Sequence, residues 1–132
     1  MRRFYTSLAI LACAIALTGC GDNKPVVGQK PTTKNGLEEL ANTIRSIQDS
    51  QMKLPGSLAE LTQYEPGLPA GYEMIKSGEI IYFWGAGIKS EGSTIIAYEK
   101  SAPTEGGYVL LQDGSIKQVS SGEFSSASKA KK

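Results

Sequence analysis

The chain has 132 residues, with 14 Lys and Arg against 13 Asp and Glu, a net charge of +1, and no histidine. So even a balance gives nucleic acid no concentrated basic face to bind. Without histidine the commonest general base and the commonest metal ligand are missing, so a non-catalytic protein that holds no metal or cofactor is expected. A chain of this length builds one modest core rather than two.

Arg2 and Arg3 precede an apolar run from Leu8 to Leu17, which ends in the small residues Thr18 and Gly19. That order is the composition of a secretory signal peptide, covering residues 1–19. Read instead as a retained membrane helix, Leu8 to Leu17 would span only about 15 Å of the roughly 30 Å of hydrocarbon. The two cysteines are Cys13 and Cys20. Cys13 would leave with the leader, so no disulfide is expected within the mature chain.

The segment Leu17-Thr18-Gly19-Cys20 resembles the lipobox of bacterial lipoprotein signals, a Leu, two small residues and the modified cysteine. The resemblance implies cleavage between Gly19 and Cys20, a diacylglyceryl group on Cys20, and acylation of the freed amine. The chemistry needs that thiol, because a thiolate can take a lipid as a thioether and a serine there could not. Two or three acyl chains would hold the protein firmly, whereas one alone binds marginally. By resemblance to enterobacterial sorting, Gly21 rather than Asp after the cysteine favours the outer membrane, with the protein facing periplasm or cell surface.

Residues 20–35 read as the lipidated N-terminus and a flexible tether, since Gly, Asn, Lys, Pro, Gln and Thr dominate and only Val26 and Val27 are apolar. Asn35 is the expected N-cap of a long helix, with Glu38 reaching back as in a capping box. Leu37, Leu40, Ala41, Ile44 and Ile47 recur at helical spacing, so the helix should bury that face and run to about Met52, ahead of Pro55. Ser57 should cap a short second helix with Leu58 and Leu61 facing inward. Pro66, Gly67, Pro69 and Gly71 then break the chain.

Beyond Gly71 the period changes. Tyr72 to Lys76, Glu79 to Trp84, Thr94 to Glu99, Tyr108 to Gln112 and Ser115 to Val119 read as short strands. Asp113-Gly114 between two β-prone runs signals a hairpin, and the short connections make neighbours antiparallel. Ile80 to Trp84, apolar on both faces, reads as a central strand beneath the long helix. The expected fold class is α+β: a long N-terminal amphipathic helix and a short second helix packed on an antiparallel meander of four to five strands. The domain spans residues 36–124 and a disordered tail covers 125–132.

Several short motifs resemble the globular head of type II secretion pseudopilins and related type IV pilin-like proteins. Ile95-Ile96-Ala97-Tyr98-Glu99, then Gly107 to Ile116 around Asp113-Gly114, then Glu123-Phe124 are similar to the ending of those heads. Leu54-Pro55-Gly56-Ser57-Leu58-Ala59-Glu60-Leu61 is similar to their segment between helix and sheet. The resemblance covers about Leu37 to Phe124 and implies a secretion-related, protein-binding head. Pseudopilins carry a prepilin cleavage site and a long apolar helix where this chain carries a lipobox, and Ser115 stands where many of these endings have histidine. The resemblance thus reaches the head and not the part that enters a filament. A small lipoprotein assembly factor, like the helix-plus-meander subunit of the outer-membrane barrel machinery, is the alternative. A carbohydrate or cell-wall binder comes third.

Candidate site residues follow from these elements. Tyr82, Trp84, Tyr98 and Tyr108 could form an aromatic platform for sugar or peptide, though cross-strand packing is the plainer reading. Glu79, Glu91, Glu99 and Glu105 could supply a carboxylate pair or a calcium loop, but no run has the dense Asp/Asn/Gly spacing of a strong calcium motif. Gly85-Ala86-Gly87 lacks the lysine of a phosphate cradle. Asp113 should shape its turn by accepting from backbone amides. Lys129, Lys131 and Lys132 could touch acidic lipid or cell wall, or simply keep a tail solvated. For a partner protein of the envelope, the loop Ala86, Gly87, Ile88, Lys89, Ser90 and Glu91 is the expected binding loop, because loops on a rigid sheet carry such contacts.

Overall fold

The structure, a computed structural model, describes residues 30–131. The expected leader, the expected lipidation site Cys20 and the expected tether up to residue 29 lie outside the described residues. Those described form a mixed α+β fold of four α-helices and one antiparallel sheet of four strands.

Helix α1 runs Thr33–Asp49 and buries Leu37, Leu40, Ala41, Ile44 and Ile47, the stripe expected from helical spacing. Its N-cap is Thr32 rather than Asn35, and the Thr32 hydroxyl oxygen accepts from the Asn35 N–H at 3.3 Å. Glu38 makes no capping box; it pairs instead with Lys34 at 3.6 Å. Residues 33–35, expected in the tether, are therefore the first turn of the helix. The other end comes at Asp49 rather than Met52. Gln51 takes a left-handed φ of 55°, Gln51 N–H donates to Gln48 O at 2.9 Å, and Met52 N–H donates to Ile47 O at 3.0 Å. That pair of bonds is a Schellman closure made with a glutamine where glycine is usual.

Ser57 caps helix α2 (Leu58–Leu61) as expected, with its hydroxyl accepting from Glu60 N–H at 3.3 Å. A 3-10 turn over Thr62–Gly67 then leads to helix α3 at Pro69–Ser77. This corrects the strand expected at Tyr72 to Lys76. Pro69 occupies the start of α3, where its missing N–H costs nothing, and Gly78 ends it at φ 78°. Leu68, Tyr72 and Ile75 bury one helical stripe across that start, and Met74 is buried beside them.

The strands are β1 (Ile80–Tyr82), β2 (Ile95–Glu99), β3 (Gly107–Leu111) and β4 (Ile116–Val119), in the spatial order β1-β2-β3-β4. The antiparallel meander is as expected, with four strands of the four to five anticipated. β1 lies at an edge rather than the centre: it pairs only with β2, and its apolar character on both faces has another cause. Ile80 and Tyr82 face the main core with α1 and α3, while Phe83, just beyond the strand, turns to a second cluster on the opposite face. A bulge in β2 between Ile95 and Ala97 turns Ile96 and Ala97 toward the main core and Ile95 toward the other side. The β3–β4 hairpin turns through Gln112, Asp113 and Gly114. Gly114 adopts φ 81° and its N–H donates to Leu111 O at 2.9 Å, the three-residue form of turn with glycine at the left-handed position.

The tail expected to be disordered from Ser125 is ordered. Ser120 and Glu123 form a reciprocal capping box that starts helix α4 at Ser121–Ser126. Residues 128–130 then lie beside Ile95 as an isolated parallel bridge. Phe124 drives this docking, since it buries its ring against the second cluster of Ile95, Ala102, Val109 and Leu111. Lys132 lies outside the described residues.

Candidate functional site

The segment after β1 is tied down along its first half. The Tyr82 hydroxyl donates to Ala86 O at 2.6 Å, and Gly85 N–H donates to Pro55 O at 3.0 Å. Gln48 on α1 grips Ile88 at both ends: its side-chain N–H donates to Ile88 O, and its carbonyl accepts from Ile88 N–H, each at 2.9 Å. Lys89 N–H then donates to Gln112 O at 2.7 Å, which fastens the loop to the β3–β4 turn. A Cβ at Gly87 would come within 2.8 Å of Leu54 Cδ1, so no larger residue fits there without rearrangement.

The six residues of the expected binding loop therefore divide. Ala86, Gly87 and Ile88 are half-buried and hold the fold, while Lys89, Ser90 and Glu91 are exposed. Lys89 and Ser90 share an open hollow of about 290 Å³ with Arg45, Asp49 and Asp113. Its charges are mixed, with no single sign in excess at the rim. The loop from Ala102 to Gly107 divides similarly, because Ala102 and Gly107 are buried and Pro103, Thr104 and Glu105 are exposed.

The four aromatic candidates do not share one platform. Tyr82 and Trp84 pack edge-on at 5.2 Å on the main-core side, where Tyr108 also packs. Tyr98 lies on the opposite face between Phe83 at 5.8 Å and Phe124 at 4.8 Å. Burial pushes the Tyr82 phenol well above its ordinary range, so it stays a neutral donor to Ala86.

Of the four glutamates, Glu79, Glu99 and Glu105 meet around an open hollow of about 410 Å³, with Thr33, Lys100, Ser101 and Thr104. Glu91 is not among them. Glu99 is already engaged, accepting from Tyr108 N–H at 3.0 Å and from the Thr33 hydroxyl at 3.4 Å. Among the described residues no group of three or more His, Cys, Asp or Glu is placed to hold a metal ion.

Asp113 shapes its turn as expected. The Ser115 hydroxyl donates to it at 2.6 Å and the Ser115 N–H at 2.8 Å, and these bonds hold its carboxyl below the usual range. Lys129 is half-buried and folded back on its own segment, where its ammonium donates to Phe124 O at 2.7 Å and Ala127 O at 3.0 Å. Lys131 is exposed.

Two residues that hold these loops went unforeseen. Gln48 clamps Ile88, and Arg45 donates to Gly114 O at 3.1 Å, steadying the β3–β4 turn. Both flank the apolar stripe of α1 one helical turn apart, a signal that identifies border positions without saying what lies across from them. Among the described residues no helix is long and apolar enough to cross a membrane. The chain matches no protein-family model, no curated protein and no solved structure.

Proposed function

We propose that this chain is a bacterial envelope lipoprotein, anchored through a lipidated Cys20, whose pseudopilin-like head binds another protein without catalysing a reaction. The observation that carries the reading is Leu17-Thr18-Gly19-Cys20 at the end of a short apolar run behind Arg2 and Arg3. The fold described from Lys30 onward supports it, since a small α+β head close behind the anchor suits holding a surface near a membrane-bound partner. The absence of histidine supports the non-catalytic part, as does the engagement of Glu99 and Asp113 in local hydrogen bonds. The exposed half of the loop, Lys89, Ser90 and Glu91, is the proposed contact. Outer membrane is the proposed address, and the envelope partner belongs to secretion. An assembly factor of the barrel type would carry the same anchor, and the identity of the captured protein separates the two.

The anchor is tested by mass spectrometry of the membrane fraction. The wild type should yield a mature N-terminus at a lipidated Cys20, and Cys20→Ser should accumulate as uncut precursor. A wild-type N-terminus elsewhere rejects the reading. Crosslinking and capture from intact cells then tests the contact. Changing Lys89, Ser90 and Glu91 together to Gly/Ser should abolish capture without lowering the melting temperature, and unchanged capture rejects that location. Reproducible hydrolytic activity of the purified protein rejects the non-catalytic part.

A further inference from the structure

β2 is longer than the strand that flanks it on its outer side. β1 pairs with Glu99, Tyr98 and Ala97, which leaves the sheet edge at Ile95 without a strand from β1. The chain's own segment from Ser121 to Lys131 takes that place. Ile95 N–H donates to Ser128 O at 2.8 Å, and Ile95 O accepts from Ala130 N–H at 2.9 Å. Both main-chain groups of one edge residue are thus satisfied by a single parallel bridge to Lys129 rather than by a ladder.

The same segment covers the second apolar cluster. Ile95, Ala102 and Val109 lie beneath it fully buried, with Tyr98 alongside. Its one large apolar side chain is Phe124, whose ring meets Tyr98 at 4.8 Å. Lys129 bends back over that ring at 4.6 Å and donates to Phe124 O within α4 and to Ala127 O just beyond it. Serine, alanine, glycine and lysine make up most of the remainder. One aromatic anchor, the small side chains of Ala127 and Ala130 and one bridge hold eleven residues onto a face that is otherwise apolar, since the Lys129 contacts stay within the segment itself. An element with so few buried contacts opens at lower free energy than the core strands.

An uncovered strand edge beside an apolar slot is the arrangement by which sheets take up extended peptides: main-chain hydrogen bonds supply affinity and the slot selects a side chain. We infer that the edge at Ile95, with the slot formed by Tyr98, Ala102 and Val109, is a peptide-binding site. Its occupant is a segment of a partner protein that presents an aromatic side chain from a helical turn and then runs extended beside Ile95, and Ser121–Lys131 is a displaceable strap that fills the site until that partner arrives. The strap indicates the chemistry it stands in for: an aromatic ring against Tyr98, a cation over the ring, and a strand parallel to β2. The inference stands on the described residues alone and does not depend on lipidation of Cys20, so failure of the anchor reading would leave it intact.

The test uses the full chain and a fluorescent peptide of residues 121–132 as probe. Phe124→Ala combined with Lys129→Ala loosens the strap without removing residues, and this variant should bind the peptide at least tenfold more tightly than the wild type does. Hydrogen exchange on the wild type gives a readout that needs no variant: the Ile95 amide should exchange at least tenfold faster than the amides of Val109 and Leu110. Equal peptide binding by a folded loosened variant and the wild type overturns the inference. So does Ile95 exchange as slow as that of β3. A dimer formed by trading straps between copies would assign the site to a second copy and overturn the partner protein as occupant.

Discussion

Helices α1 and α3 approach one another through two glycines, and a methyl group at one of them should cost far more than at the other. A Cβ at Gly71 would lie 2.7 Å from Gly36 O and 3.6 Å from Gly36 C. Those are backbone atoms of a seventeen-residue helix, so no rotamer change relieves the clash. The helices would have to separate, which would also strain the bond from Gly71 N–H to Glu39 Oε2 at 2.9 Å. At Gly36 the obstructing atoms are instead Met74 Sδ at 2.8 Å and Ile80 Cδ1 at 2.9 Å, both ends of side chains. Methionine in particular has rotamers to spare. Alanine in a helix gains about 0.5–1 kcal/mol over glycine, and overpacking a close contact costs about 1–3 kcal/mol. Gly71→Ala should therefore lose roughly 1–2 kcal/mol net, while Gly36→Ala should come out nearer to neutral. For a fold of this size that is a fall of about 5–15 °C in melting temperature. Gly67→Ala is the control, since its Cβ would meet nothing within 4 Å. Thermal and urea unfolding followed by circular dichroism measures all three. A Gly71→Ala melt at or above wild type, or a larger loss for Gly36→Ala, would refute the backbone-contact argument.

Gln51→Gly should stabilise the fold by about 0.5–1 kcal/mol, because Gln51 holds φ 55° at the end of α1 and glycine adopts that conformation without a Cβ clash. No rise in melting temperature would mean that the glutamine side chain makes a compensating contact. Gly114→Val should destabilise by more than about 1 kcal/mol from strain at φ 81°, and its Cβ would also displace the Arg45 guanidinium; an unchanged melt would show that the turn can change type. Tyr82 gives a pH signature. Its phenol is raised by burial, so the folded state keeps a proton that the unfolded chain releases above about pH 10. Its contribution is whole below that pH and is lost as pH rises further. Tyr82→Phe should weaken the fold by about 1 kcal/mol near neutrality, through the lost bond to Ala86 O, and reduce its alkaline sensitivity in urea titrations at pH 8 and 11. Parallel pH profiles for the two chains would show that Tyr82 does not govern that loss.

The stripe Leu37, Leu40, Ala41, Ile44 and Ile47 was legible because one helical face repeats every three to four residues whatever lies opposite. The Ser57 cap and the Asp113-Gly114 turn were legible for a similar reason, since their bonds close within a few residues. Tyr72 to Lys76 misled because five residues fit a period of two as well as a helix. The deciding residues were Leu68 and Pro69 before the segment and Gly78 after it. The loop candidates were half legible: exposure at Lys89, Ser90 and Glu91 follows from polarity, but the grip of Gln48 on Ile88 joins positions 40 residues apart.

What the sequence determined by itself is the set of features carried by near neighbours: the long helix face, the Ser57 cap and the antiparallel meander. Tertiary structure decided the rest. It placed β1 at an edge, set Gly36 against Gly71, bulged β2 so that Ile95 and Ile96 face opposite sides, and laid Lys129 beside Ile95. Periodicity and capping act through the chain within a turn or two, so local residue types suffice to specify them. Close approach, strand order and the docking of a polar segment on one phenylalanine depend on which surfaces meet, and those surfaces exist only once the chain has folded.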